Sequence, residues 1–195
     1  MQQDYVVAVA GLSSLDDINN LDEAIIANAR MAINRTVDRA RTASAKEMRD
    51  QIAFPARYLS GTNGRLRVSE RATNTSLQAT ITGRDRPTSL ARFATSRDPA
   101  ATRRQGGVRV TVDPGKSKFM RGAFLMRLNN NNLGLAIRLK EGERVVNKTR
   151  MTRIGAGLYL LYGPSVDQVF RSVADDQAPK AADFLEAEFL RLMEL

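Results

Sequence analysis

The 195-residue chain contains no cysteine, no histidine and no tryptophan. Without cysteine there is no disulfide and no thiolate nucleophile. Without histidine the commonest metal ligand and general base is missing, and a Ser-His-Asp relay cannot be assembled. Carboxylates alone can hold a metal, but the acidic residues form no loop of the calcium-binding type, so neither metal nor cofactor is expected. No run of eighteen apolar residues is present, and Met1-Gln-Gln-Asp-Tyr5 lacks the basic, then apolar, start of a signal peptide. The expectation is a soluble chain made in a cytoplasm, without membrane contact. Aromatic residues are scarce at 6%. Those in the middle of the chain (Tyr58, Phe93, Phe119, Phe124) do not alternate with arginine as stacking on a single nucleic-acid strand requires. Helix-turn-helix and zinc patterns are also missing.

Proline and glycine are missing from one long stretch, Leu21 to Ala53, and that stretch organises the rest. Ile25, Ala29, Ile33, Val37, Ala40, Ser44, Met48 and Ile52 recur at steps of three and four, which draws one apolar-to-small stripe along a helix. Asn20 is placed to cap it, Asp22 and Glu23 sit where the helix dipole favours anions, and Pro55 ends it. Such a helix is roughly 50 Å long at 1.5 Å per residue, and its stripe needs a sheet or a neighbouring subunit to cover it.

Hydrophobic residues make up 43% of the chain, enough for one sizeable core, and a single domain over residues 1–195 is expected. The net charge of +9 is unevenly distributed. Residues 1–56 carry 6 basic and 8 acidic groups, residues 57–153 carry 21 and 6, and residues 154–195 carry 3 and 7. A middle of net charge +15 between acidic ends of −2 and −4 suits contact with nucleic acid, and equally suits subunits meeting basic side to acidic side.

Along the chain, Tyr5 to Ala10 reads as a strand and Ala56 to Leu59 as a single helical turn. Arg65–Arg71 and Ser76–Thr82 alternate with period two about Thr73-Asn-Thr75, a hairpin burying Leu66, Val68, Leu77, Ala79 and Ile81. Pro87 to Phe93 is a short turn docking Leu90 and Phe93. Residues 94–107, rich in Ser, Arg, Pro and Gly, read as a long mobile loop. Val108–Val112 is a strand ended by the Asp113-Pro-Gly115 turn. Phe119–Leu128 and Leu133–Lys140 form a second hairpin across four asparagines, residues that tolerate positive φ. Residues 141–157 read as a basic arm or extended hairpin. Leu158–Tyr162 is a strand, and Ser165 with Gln168 makes a capping box for a helix over Val166–Ala174. A second helix restarts at Ala178-Pro179, with Phe184, Leu185, Phe189 and Leu192 as its stripe. The fold class is α+β: a long N-terminal helix on a mainly antiparallel sheet of about six strands, with two short C-terminal helices.

No catalytic constellation emerges. Ser165 follows a Gly-Pro turn but is explained by capping. Gly106-Gly107 and Gly155-Ala-Gly157 lack the Lys and Ser/Thr of a phosphate loop. Asp16-Asp17 and Asp175-Asp176 flank helices, where solvation accounts for them. The informative side chains are basic. Arg65, Arg67, Arg97, Arg103, Arg104, Arg144, Lys148, Arg150 and Arg153 have the charge to face phosphates, or to meet acidic surfaces of subunits and partners. The missing aromatic interleaving favours the second use.

Gly122-Ala-Phe-Leu-Met-Arg-Leu128, Gly134-Leu-Ala-Ile-Arg-Leu139 and Leu161-Tyr-Gly-Pro-Ser-Val166 with Gln168-Val-Phe170 together resemble the minor tail protein Z family of tailed phages. Pro87-Thr-Ser-Leu-Ala-Arg-Phe93 is similar to that family's segment after its first hairpin. The resemblance runs from about Leu15 to the end; residues 94–107 and 141–157 have no matched counterpart. It implies a non-enzymatic virion protein, made in the bacterial host, that completes the head-proximal end of a long non-contractile tail. The implied partners are further copies of the chain in a homohexameric ring, the tail terminator or tail tube, the head-connector proteins, and DNA in the tail lumen. Direct nucleic-acid binding by the basic middle is the alternative. The expected contact residues are Arg97, Arg103 and Arg104 in the loop, Arg144, Lys148, Arg150 and Arg153 in the arm, and Tyr162, Gly163, Pro164 and Ser165 in the strand-turn.

Overall fold

The computed structural model describes residues 5–8, 22–61, 63–140, 143 and 150–194. In chain order the elements are β1 (Tyr5–Ala8), α1 (Glu23–Gln51), α2 (Ala56–Ser60), β2 (Leu66–Glu70), β3 (Gln78–Gly83), β4 (Thr88–Ser89), a 3-10 turn (Leu90–Phe93), α3 (Pro99–Arg104), β5 (Gly107–Val110), β6 (Lys118–Arg121), β7 (Ala123–Arg127), β8 (Leu133–Arg138), β9 (Met151–Gly155), β10 (Leu158–Gly163) and α4 (Val166–Met193). The α+β class and the long N-terminal helix stand. The chain forms two compact units, one from Met1–Met48, Ala56–Asp85 and Asp167–Leu195, the other from Arg49–Pro55 and Arg86–Val166.

In the first unit α1 and α4 pair antiparallel, as four contacts in opposite order along the two helices require. Asn28 Nδ2 donates to the Leu192 carbonyl at 3.0 Å, Arg35 pairs with Glu188, the Arg39 guanidinium lies 4.3 Å from the Phe184 ring centre, and Gln177 donates to Glu47. The expected stripe is mostly the buried one: Ala29, Ile33, Val37, Ser44 and Met48 are buried, joined by Ala32, Thr36 and Ala45. Small residues let neighbouring backbone approach closely, and Thr36 satisfies its hydroxyl on the Ala32 carbonyl at 2.8 Å. The helix is capped by Asp22, whose Oδ1 accepts from the Ala24 amide at 2.8 Å; Asn20 lies outside the described residues.

The sheet of this unit has the order β1-β3-β2, antiparallel throughout. Because β3 is its central strand, Thr80 and Thr82 are buried as well as Ala79 and Ile81, so alternation understates its burial. The hairpin is tied to α1 by side chains. Asn34 donates to the Ala72 carbonyl at 3.0 Å and accepts from the Ala72 amide at 3.1 Å, and Arg71 forks onto Asp38 at 3.0 and 2.7 Å.

The second unit holds a five-stranded sheet of order β4-β10-β8-β7, with β9 also on β10, and the two-stranded ribbon β5-β6. The expectations from sequence need four corrections in this fold. Among the described residues there are ten strands rather than about six, in three sheets. The run Phe119–Leu128 is broken at Gly122, whose φ of 70° turns the chain so that β6 pairs with β5 and β7 with β8. Residues 94–107 contain α3, capped by Asp98 Oδ1 on the Ala100 amide at 2.8 Å, with Pro99 in its first turn. Buried Thr102 fixes α3 to the sheet, its hydroxyl accepting from the Leu125 amide at 3.2 Å. The fourth concerns the C-terminus: α4 is one helix of 28 residues, with Pro179 inside it, not two short helices. The four-asparagine turn is as expected, with Asn131 at φ 61°.

Candidate assembly interface

The second unit carries an open groove of about 640 Å³ between the β5-β6 ribbon and β10. Its floor follows from strand alternation. Val110 faces in while Arg109 faces out, and on β6 Met120 shares a face with Lys118 while Phe119 and Arg121 take the other. Leu90, Val112, Met151 and Leu161 complete the apolar floor, and Tyr162, Gly163 and Pro164 form one wall. The rim is polar: Asp113, Lys116 and Ser117 from the turn after β5, with Lys118 and Arg150. Among the described residues, none of Lys116, Lys118 and Arg150 forms an ion pair. An apolar trough edged by three cations and one carboxylate suits an apolar ridge flanked by acidic groups.

The wall is set by packing from behind. Tyr162 and Gly163 register with Ser89 and Thr88, and the Thr88 amide donates to the Pro164 carbonyl at 3.3 Å. A Cβ on Gly163 would lie 3.2 Å from Leu90 Cδ2, so a larger residue there would crowd the floor. Of the four strand-turn residues, Tyr162 and Pro164 are half-buried, while Gly163 and Ser165 are buried. Gly163 therefore acts by letting Leu90 in, and Ser165 sits at the position before α4.

The expected basic residues are distributed over several elements. Arg150 joins the strand-turn in the groove. Arg153 lies exposed on β9 opposite Tyr159, its Nε donating to the Gly155 carbonyl at 3.2 Å. Arg97 precedes α3, and Arg103 and Arg104 occupy its last turn; all three are exposed, with Arg103 5.6 Å from the Phe124 ring centre. Arg144 and Lys148 lie outside the described residues. Lys116 and Lys118 are not among the basic residues expected from sequence; β6 begins at Lys118, one residue before the expected strand, and so places Lys118 on one face with Met120.

The first unit carries a second surface of opposite character. On α4, Asp183, Glu186, Ala187, Leu190 and Met193 are all exposed and share one face by helical spacing; exposed Glu194, directly after the helix, continues it through its amide on the Leu190 carbonyl at 3.2 Å. Leu190 and Met193, 54% and 44% exposed, are two of four large apolar side chains left exposed among the described residues, with Phe119 and Ile154. The opposite face is anchored by Glu188, which accepts from Arg191 at 2.8 and 2.9 Å and pairs with Arg35. These hydrogen bonds, that from Arg191 foremost, hold the Glu188 carboxyl at a pKa of about 2.

The family model described as prophage minor tail protein Z (GPZ) matches residues 10–188 of the chain. The chain belongs to the minor tail protein Z family. As a member of that family it is a structural protein of a phage tail, and its place is the virion. The match spans both surfaces above, apart from Leu190, Met193 and Glu194 at the end of α4. Comparison with curated proteins and with solved structures finds no match. Among the described residues no helix is long and apolar enough to cross a membrane, and no group of three or more acidic residues is placed to hold a metal ion.

Proposed function

We propose that this minor tail protein Z member acts as a single tail-completion domain: it closes the head-proximal end of a long non-contractile tail as a homohexameric ring and prepares it to join the head. Its work is interface formation rather than catalysis. The single observation that carries the reading is the separation of unlike surfaces on one chain, a basic-rimmed apolar groove and an acidic helix face. Surfaces of that kind, lying on different parts of a subunit, produce head-to-tail contacts, which close into rings when the rotation allows. Charge complementarity speeds docking and suppresses wrong partners.

In this reading Arg97, Arg103 and Arg104 around α3, the arm residues Arg144, Lys148, Arg150 and Arg153, and the strand-turn Tyr162 to Ser165 are the contact elements. They meet the neighbouring copy on one side, and the tail terminator or tube and the head-connector proteins on the others. The test is a phage carrying Arg150→Glu and Arg153→Glu. Both side chains are exposed, so the fold is retained. The expected outcome is normal heads and tails that fail to join. Wild-type phage yield would contradict the proposal.

The +15 charge of residues 57–153 favours a second reading, contact with DNA in the tail lumen. It predicts mixed-sequence DNA binding that weakens steeply with salt. Absence of any complex at low salt would remove it.

A further inference from the structure

We infer that the basic-rimmed groove of one copy receives the exposed α4 face of a second copy, with Leu190 and Met193 on the apolar floor and Asp183, Glu186 and Glu194 opposite Lys116, Lys118 and Arg150. The inference rests on the ring reading above and names the surfaces that make it. Three observations carry it. The groove floor is apolar yet open, and its three rim cations have no carboxylate partner among the described residues. The α4 face presents two large apolar side chains to water, with carboxylates on either side of them. The dimensions agree: a volume of about 640 Å³ is too small for a whole helix, whose diameter with side chains is about 10–12 Å, but takes the side chains of one ridge.

Ala187 stands between Glu186 and Leu190 on that face, small enough to let the helix sit close to the rim. A nucleic-acid backbone is a poorer occupant. It makes no use of an apolar floor, and Asp113 would repel it. Because groove and ridge are different surfaces, the contact is heterologous and each copy uses both, which is the arrangement a ring requires.

The absence of native cysteine gives a clean test. Lys118→Cys and Leu190→Cys are prepared as separate single variants, mixed and mildly oxidised, beside each variant alone and beside the wild-type chain in the analytical ultracentrifuge. Both positions are exposed, so neither change disturbs a core. The expected result is a covalent dimer in the mixture and none from either variant alone, since like positions do not meet in a head-to-tail contact. Leu190→Asp should abolish the assembly while leaving the circular dichroism spectrum unchanged. Failure to cross-link while the wild-type chain sediments as a ring would overturn this pairing and leave the ring reading intact. A Lys118→Cys dimer with itself would overturn it as well, by showing a two-fold contact. A wild-type chain that is monomeric at every concentration, with no cross-link in the mixture, would overturn both.

Discussion

Glu188 sits between two guanidinium groups, Arg191 on its own helix and Arg35 on α1, and its carboxyl is held at about 2 against an ordinary 4.5. The folded chain thus keeps the carboxylate at a pH where the unfolded chain has already taken up a proton. The stability this provides is fully present above about 4.5 and is lost as pH falls from there towards 2. Glu188→Gln should therefore flatten the acid limb of the stability profile between those values; an unchanged profile of urea midpoints against pH would contradict it. Gly83 is a second residue with a specific requirement. A Cβ there would come within 2.8 Å of the Asp167 Cα, a backbone atom that cannot swing aside. Gly83→Ala should cost about 1–3 kcal/mol as overpacking, read as a lower urea midpoint with an unchanged slope. An unchanged midpoint would show that the start of α4 yields more easily than its packing implies.

At the scale of elements, the long helix, the first hairpin and the asparagine turn were legible because each rests on a periodicity or a turn chemistry that neighbours in sequence determine. What escaped depends on tertiary context. Pro179 reads as a helix break, yet α4 continues through it. The carbonyl that loses its donor belongs to Asp175, an exposed residue, while Val173 and Ala174 before the proline and Leu192 after it are buried and hold both halves in line. Pro179→Ala should accordingly stabilise the protein, by up to about 3 kcal/mol, with a matching rise in thermal midpoint. A drop would mean that the proline shapes α4 in a way the native packing needs. Helix α3 is too short to show a period, but Asp98-Pro99 was a capping signature in plain view. Gly122 looked like one residue of a strand. Only the pairing of β6 with β5 and of β7 with β8 reveals it as a corner. The groove is hidden for the same reason, since its lining comes from four separate stretches of chain that only the fold brings together.

For the whole molecule, family membership makes this a structural protein of a phage tail, and segregated charge gives it unlike surfaces to offer to other virion proteins. The charge blocks along the sequence anticipated this, and the fold turns them into a groove with a basic rim and a helix face with acidic flanks. Salt should weaken assembly through the rim charges, while the apolar floor keeps part of the affinity at high ionic strength. The proposed ring is tested most directly by the mass and image of the purified chain, from sedimentation and electron microscopy. Closed rings of six copies of the 21.5 kDa chain are expected. A single 21.5 kDa species at every concentration, with no rings in the images, would contradict it.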